Sequence, residues 1–144
     1  MTQQNNQALH WYEYAKQDLH TAEVLLKAEI YAQVCFHAQQ VIEKLLKAYL
    51  IQSNTKPPRI HSIKELIKLC QDHENIVAMD IKALIIDAYY IPTRYPDSVI
   101  GNFEDSIPSV EDAEEALEIA KDFFEIFRED FKTKNVEDTK WKKY

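Results

Sequence analysis

Apolar residues recur every three or four positions along most of this chain, which is the spacing of one face of an α-helix. The pattern predicts a first helix over residues 6–28 and a second over residues 30–53. The apolar stripe of the first helix consists of Ala8, Trp11, Ala15, Leu19, Ala22 and Leu26. That of the second consists of Tyr31, Cys35, Ala38, Ile42, Leu45 and Tyr49, widened by Val34, Val41 and Leu46. The segment SNTKPPR then interrupts the pattern, because two consecutive prolines cannot continue a helix.

Two shorter helices are predicted next. Ser62 and Glu65 form a capping-box pattern, so a third helix should begin at His61 or Ser62 and run to about His73. A fourth helix is expected over residues 77–90, and Pro92 should end it. Its apolar residues are Ile81, Leu84, Ile85 and Ala88.

A long loop is predicted from Pro92 to Pro108, followed by a last helix from Ser109 to about Lys132. This helix also begins with a serine that has an acid three residues later, Asp112. It has the most regular stripe of the chain: Ala113, Leu117, Ala120, Phe124, Phe127 and Phe131. Five helices with one buried face each indicate an all-α, up-and-down four- or five-helix bundle over residues 6–132. We expect residues 133–144 to be a loosely ordered tail, and the high aromatic content to favour a homodimer.

Composition supports helices and argues against several other classes. The chain of 144 residues contains a single glycine, which disfavours all-β folds and Gly-rich phosphate loops. No apolar run is long enough to cross a membrane, and the N-terminus lacks a signal-peptide pattern, so we expect a cytoplasmic protein. The net charge is −7, and residues 97–130 carry twelve acids against two basic residues. Such an acidic last helix should repel nucleic acid, although a local basic pocket elsewhere remains compatible with this charge.

The cysteines and histidines do not form a recognisable metal motif. Cys35 and Cys70 lie far apart, each within an apolar helical stripe, and are interpreted as reduced core thiols. None of the five histidines forms a His-x-x-x-His pair with a carboxylate partner. We therefore expect no metal site and no cofactor.

Polar residues follow one face of the second helix, at steps of four and three. They are Gln33, His37, Gln40, Lys44 and Lys47, with Glu43 beside them, where it can pair with Lys47. One interpretation is an ordinary solvated face. The other is one wall of an anion-binding groove, because lysine ammonium groups and amides on a rigid helix suit phosphate.

Arg94 lies in the predicted loop within the sequence TRYPD. Pro96 favours an extended conformation at Tyr95, which should stiffen the chain around the arginine. Arg94 either braces the loop against a helix carboxylate such as Glu43 or presents its planar guanidinium to a phosphate. His61, just before the capping serine, is interpreted either as part of the cap or as an acid or base.

Several motifs occur in a fixed order: WYEYAKQDLHTAEVLL, YAQVCFHAQQVIEKLLKAYL, IHSIKELI and RYPD, before an acidic amphipathic helix. Together they resemble the HEPN domain, named for higher eukaryotes and prokaryotes nucleotide-binding, over roughly residues 8–131. The resemblance implies a dimeric bundle with a groove at or near the dimer interface. It also implies a partner, since small prokaryotic members are encoded beside a minimal nucleotidyltransferase in toxin–antitoxin-type pairs.

Many HEPN proteins are metal-independent ribonucleases with an Arg, four to six residues and then a His. Here no histidine follows Arg94, and only one residue separates Arg59 from His61. The leading hypothesis is therefore a HEPN subunit that binds a nucleotide or RNA phosphate and partners a nucleotidyltransferase. The alternatives are a ribonuclease toxin with an atypical active site and a purely structural dimerisation module. The candidate phosphate-binding residues are His37, Gln40, Lys44, Lys47, Arg94 and Tyr95, and those for catalysis are Arg94 and His61.

Overall fold

Two long antiparallel helices, α1 (Gln3–Lys27) and α2 (Tyr31–Gln52), form the frame of the fold. The structure, a computed structural model, describes the backbone of residues 3–94 and 107–132 and the side chains of residues 6–89 and 107–131. Four helices follow, namely α3 (Ile63–Lys68), α4 (Glu74–Val77), α5 (Asp80–Arg94) and α6 (Val110–Lys132). α2 is central, because it packs against α1, α3, α5 and α6. The described residues thus form the all-α bundle that the sequence predicts, with six helices where five were expected.

The core is built from the predicted apolar stripes. Ala8, Ala15 and Ala22 of α1 are fully buried against α2, and small side chains allow this close approach. Every residue of the predicted α6 stripe is buried as well. Tyr12 joins α1 to α6 by stacking on two rings, with centroid distances of 5.3 Å to Phe124 and 4.6 Å to Phe131.

Both long helices end in the same motif without a glycine. At the end of α1, Ile30 N–H donates to the Leu25 carbonyl at 3.0 Å, and Glu29 has a positive φ of 63°. After α2, Thr55 N–H donates to the Leu50 carbonyl at 2.8 Å, and Asn54 has a φ of 64°. These are Schellman motifs, in which glycine or asparagine is preferred at the left-handed position. Asn54 suits that position, whereas Glu29 is strained there.

The predicted caps of α3 and α6 are present. Ser62 accepts a hydrogen bond from Glu65 N–H at 3.3 Å. Ser109 and Asp112 form a reciprocal capping box, with side chain to backbone distances of 2.9 Å and 3.2 Å. These side chains satisfy backbone donors that have no partner within the helix.

Three boundary or face predictions were wrong in the middle of the chain. The third helix ends at Lys68 rather than near His73, and α4 precedes α5 where one helix was expected. α5 buries Ala83, Ile86 and Tyr89, whereas Ile81 of the predicted stripe is 77% exposed. Because α5 is apolar on more than one side, its periodicity alone could not identify the face that packs on α2 and α3.

Pro92 does not end α5, since the helix continues to Arg94. The fixed φ of proline is compatible with a helix, although its missing N–H and the contact of its ring with the carbonyl four residues earlier both weaken the helix there. The rest of the predicted loop, residues 95–106, and the predicted tail, residues 133–144, lie outside the described residues.

Candidate functional site

The polar face of α2 lies partly against α1, where it meets a nearly buried carboxylate. Asp18 of α1 accepts a hydrogen bond from the Lys44 ammonium, and one of its oxygens lies 2.9 Å from His37 Nδ1. The exposed fractions are 12% for the Asp18 side chain and about a quarter for its two partners. We call these three residues the Asp18 cluster. It fixes the direction of Lys44 and His37 while leaving part of each in contact with solvent.

A second cluster surrounds Glu43, one helical turn along the same face. The Glu43 side chain is only 6% exposed, and it accepts a hydrogen bond from Lys47 Nζ at 3.0 Å. Gln39 Nε2 donates to Glu43 Oε1 at 3.3 Å, and His61 Nδ1 lies 3.2 Å from the same oxygen. We call Gln39, Glu43, Lys47 and His61 the Glu43 cluster. Its ion pair is buried, since the Lys47 side chain is 7% exposed.

His61 is held in place by contacts from two sides. Its backbone carbonyl accepts a hydrogen bond from Gln39 Nε2 at 2.7 Å. The next turn of chain is fixed by Asp87 of α5, which accepts from Ser62 Oγ at 3.0 Å and from Ile63 N–H at 2.7 Å. The imidazole is nevertheless 57% exposed. A carboxylate-oriented imidazole in contact with solvent is suited to proton transfer or to donating a hydrogen bond to an anion.

Of the predicted phosphate-binding residues, four lie together on α2. His37 and Lys44 belong to the Asp18 cluster, Lys47 belongs to the Glu43 cluster, and Gln40 Nε2 donates to the Gln39 side chain at 2.8 Å. Both lysines are therefore paired with carboxylates: the spacing on α2 predicted the pair of Lys47 with Glu43, but not the pair of Lys44 with Asp18 of α1. Lys44 is more accessible to an anion than Lys47 because less of its side chain is buried.

Arg94 is the last residue of α5, and its side chain and Tyr95 lie outside the described residues. Five residues earlier, Tyr89 anchors this helix to α6 by donating a hydrogen bond of 2.5 Å to Glu115. Burial, together with this bond, raises the pKa of Tyr89. The proposed contact of Arg94 with Glu43 remains a prediction, and the described partners of that carboxylate are Lys47, His61 and Gln39.

A cleft of about 570 Å³ lies beside both clusters, and the sequence patterns did not reveal it. Its lining includes Gln7, His10, Trp11, Tyr14, Lys44 and Lys56. The Lys44 ammonium lies 6.0 Å from the centre of the Tyr14 ring, and that of Lys47 lies 5.7 Å from Trp11. Trp11 was assigned to the core face of the first helix, and it packs against the core while remaining half-buried. The signal that could have identified the cleft is the spacing of Gln7, Trp11 and Tyr14, which places them on one side of α1.

The described residues contain no group of three or more side chains that could hold a metal ion. Both cysteines are buried and unpaired, as the sequence indicates. Burial raises the pKa of each thiol, Cys35 and Cys70, to about 12, so neither is a nucleophile at neutral pH. Within the described helices, none is long and apolar enough to cross a membrane.

Comparison with known proteins relates the sequence and the fold to a family. A sequence model of the HEPN domain matches residues 8–130. The chain is 29% identical to the protein named "Putative toxin MJ1304" from Methanocaldococcus jannaschii, over 76% of this chain and 82% of that protein. It is also similar to the crystal structure of TT1696 from Thermus thermophilus, with a TM-score of 0.73 and 32% identity, over 86% of this chain and 98% of that one. On this evidence the chain belongs to the HEPN domain family.

Proposed function

We propose that the protein is the HEPN subunit of a toxin–antitoxin-type pair with a minimal nucleotidyltransferase, and that it binds a nucleotide or an RNA phosphate. The observation that carries the binding proposal is the set of partly exposed, carboxylate-oriented side chains on α2 and just before α3. Lys44 and His37 are partly exposed and oriented by Asp18, and His61 is exposed and oriented by Glu43. Oriented donors lose little side-chain entropy when they bind an anion, which favours affinity.

The charge distribution supports a local site. Both lysines already have a carboxylate partner, but an ammonium has three donors and each lysine uses one with that partner. A phosphate can therefore share Lys44 with Asp18. Arg94 completes the proposed site as the end of α5, which packs against α2. The name of the Methanocaldococcus jannaschii relative supports the toxin context.

We also propose that the protein is a homodimer located in the cytoplasm. Exposed apolar side chains on α1 and α5, including Val24, Ile81 and Leu84, support a subunit contact because such a contact would remove them from water. Light scattering on the purified protein would measure the mass. A monomer at micromolar concentration would contradict this part of the proposal.

Calorimetric titration with ATP, GTP and a short RNA tests the binding proposal. We expect binding that weakens with salt, and a Lys44→Gln variant with about five- to tenfold lower affinity, because one charge-assisted hydrogen bond is lost. Lys82→Gln is the matched control, since Lys82 pairs with Asp122 between α5 and α6 in the same manner. Absence of binding to the wild-type protein would refute this part.

The partner is tested by co-expression with a minimal nucleotidyltransferase encoded beside the protein. We expect the two proteins to co-purify and the nucleotidyltransferase to suppress any growth arrest. If no such gene is adjacent, or if the two proteins elute separately, the pairing is wrong regardless of the binding result.

The Glu43–His61 contact favours one alternative, a metal-independent ribonuclease with an atypical active site. A buried carboxylate at 3.2 Å orients an exposed imidazole, which is the arrangement of a general acid or base. This alternative predicts growth arrest on expression, relieved by His61→Ala and by Arg94→Ala. Intact cellular RNA in cells expressing the wild-type protein would refute it.

A further inference from the structure

We infer that the cleft between α1 and the segment after α2 binds a nucleobase, so that the ligand of the proposed site is a nucleotide unit recognised by its base as well as by its phosphate. This inference rests on the proposed function, because it adds a base subsite to the anion site on α2. The cleft measures about 570 Å³, which is within the range of small-molecule sites.

The ring contacts are the first argument. Trp11 and Tyr14 lie three residues apart on α1 and both line the cleft, so two aromatic side chains face one cavity. Tyr14 is 58% exposed, although nothing on a solvated helix face requires an exposed tyrosine. The ammonium groups of Lys44 and Lys47 lie 6.0 Å and 5.7 Å from these rings and restrict their orientation. Aromatic rings held in this way are stacking surfaces for any base.

The charge of the lining is the second argument. The protein carries a net charge of −7, but among the described residues the lining contains two lysines, one histidine and no acidic residue. Lys56 has no ion-pair partner in the part of the chain that the structure describes. A basic rim around aromatic rings complements a ligand that combines a planar base with a phosphate.

Continuity with the α2 clusters is the third argument. Lys44 belongs both to the cleft lining and to the Asp18 cluster, and Lys47 joins the Trp11 ring to the Glu43 cluster. A base in the cleft therefore places its sugar and phosphate beside Lys44. Pro57 and Ile51 supply apolar contacts that a sugar phosphate alone would not use.

Fluorescence of Trp11 tests the inference directly. The chain has two tryptophans, so a Trp141→Phe variant of the full chain leaves Trp11 as the sole reporter. AMP should quench it saturably, and ribose 5-phosphate, which has the same sugar and phosphate without a base, should bind at least about tenfold more weakly. A second titration uses hexauridylate, a short RNA strand. Tighter binding of hexauridylate than of AMP identifies an RNA strand as the source of the nucleotide, and the reverse identifies a free nucleotide.

Variants separate this subsite from the anion site. Tyr14→Ala should weaken AMP binding by about five- to tenfold or more without unfolding the helix, since the side chain is exposed. Leu69→Ala, an exposed apolar position after α3 and outside the cleft, is the control and should leave AMP binding unchanged. Lys56→Gln should weaken the binding of AMP and the binding of ribose 5-phosphate to the same extent.

Several results would overturn the inference. Equal affinity for AMP and ribose 5-phosphate would show that the base is not recognised. An unchanged affinity of Tyr14→Ala for AMP would show the same. If Tyr14→Ala instead halves the mass in light scattering and leaves AMP binding intact, the cleft is a contact between two copies of the chain. Binding that depends on Lys44 but not on Tyr14 would leave the proposed function intact, whereas co-purification judges the nucleotidyltransferase pairing independently.

Discussion

Replacing Glu43 by leucine should be among the most damaging single changes outside the apolar core. Glu43 and Lys47 form an ion pair whose side chains are only 6% and 7% exposed. The substitution keeps the bulk of the side chain but leaves the Lys47 ammonium buried without its carboxylate. Breaking a buried pair in this way costs about 3–5 kcal/mol. That is a large part of the roughly 5–15 kcal/mol by which a domain of this kind is stable.

The other two partners of Glu43 should add little to this loss. Gln39 retains its shorter hydrogen bond, 2.7 Å, to the His61 carbonyl. The His61 imidazole is largely exposed, so water can replace the carboxylate. The cost is therefore concentrated on Lys47. A second substitution, Lys47→Met, should restore at least about 2 kcal/mol, because an apolar pair of similar volume replaces a buried ion pair at little cost.

Urea denaturation followed by circular dichroism gives the free energy of unfolding of the two single variants and of the double variant. The matched control is Glu65→Leu, because Glu65 pairs with Lys68 on the surface of α3, with more than half of each side chain exposed. That change should cost less than about 1 kcal/mol. The reasoning fails if Glu43→Leu lowers the free energy of unfolding no more than the control does. It also fails if the double variant is no more stable than Glu43→Leu.

Three further predictions concern caps, strain and burial. Asp87→Ala removes an acceptor of two backbone N–H groups at the start of α3, so it should cost about 1–2 kcal/mol and speed amide exchange there; unchanged exchange would contradict the cap. Glu29→Gly should stabilise the protein by about 1 kcal/mol because the φ of Glu29 is 63°. The control His20→Gly, at an exposed position inside α1, should instead destabilise the protein, and chemical denaturation measures both. Burial raises the pKa of Cys35 and Cys70 to about 12, so their contribution to stability is complete below about pH 9 and is lost as the pH rises toward 12. The variant with alanine at both cysteines should lose less stability over that interval, and identical pH profiles would refute this.

Local patterns were sufficient for much of the fold. The α6 stripe is buried as predicted, because a single apolar face leaves only one way to pack the helix. The Ser62 and Ser109 caps follow from residues three positions apart, which interact before any tertiary contact forms. α5 was less predictable because two of its faces are apolar, and the choice depends on which neighbours are present.

The candidate site was predictable only in part. The spacing on α2 placed His37, Gln40, Lys44 and Lys47 on one face, and the structure places them there. Lys47 pairs with Glu43 within α2, but the partner shared by Lys44 and His37 comes from far along the chain, since Asp18 lies 26 residues before Lys44. No periodicity within α2 contains that information. The same limit applies to Asp87, which caps α3 from a position 24 residues after Ile63.

The sequence by itself determined the long helices, most of their core faces and the Ser62 and Ser109 caps, because these depend on neighbours within one or two turns. The ordered motifs also indicated the family, which the match over residues 8–130 confirmed. Only the tertiary structure decided the environment of each polar side chain. It buried the pair of Glu43 and Lys47, left His61 exposed, and placed Trp11 and Tyr14 at a cleft beside Lys44. The physical reason is that burial and ion pairing depend on the distance between helices, and residues distant in sequence set that distance.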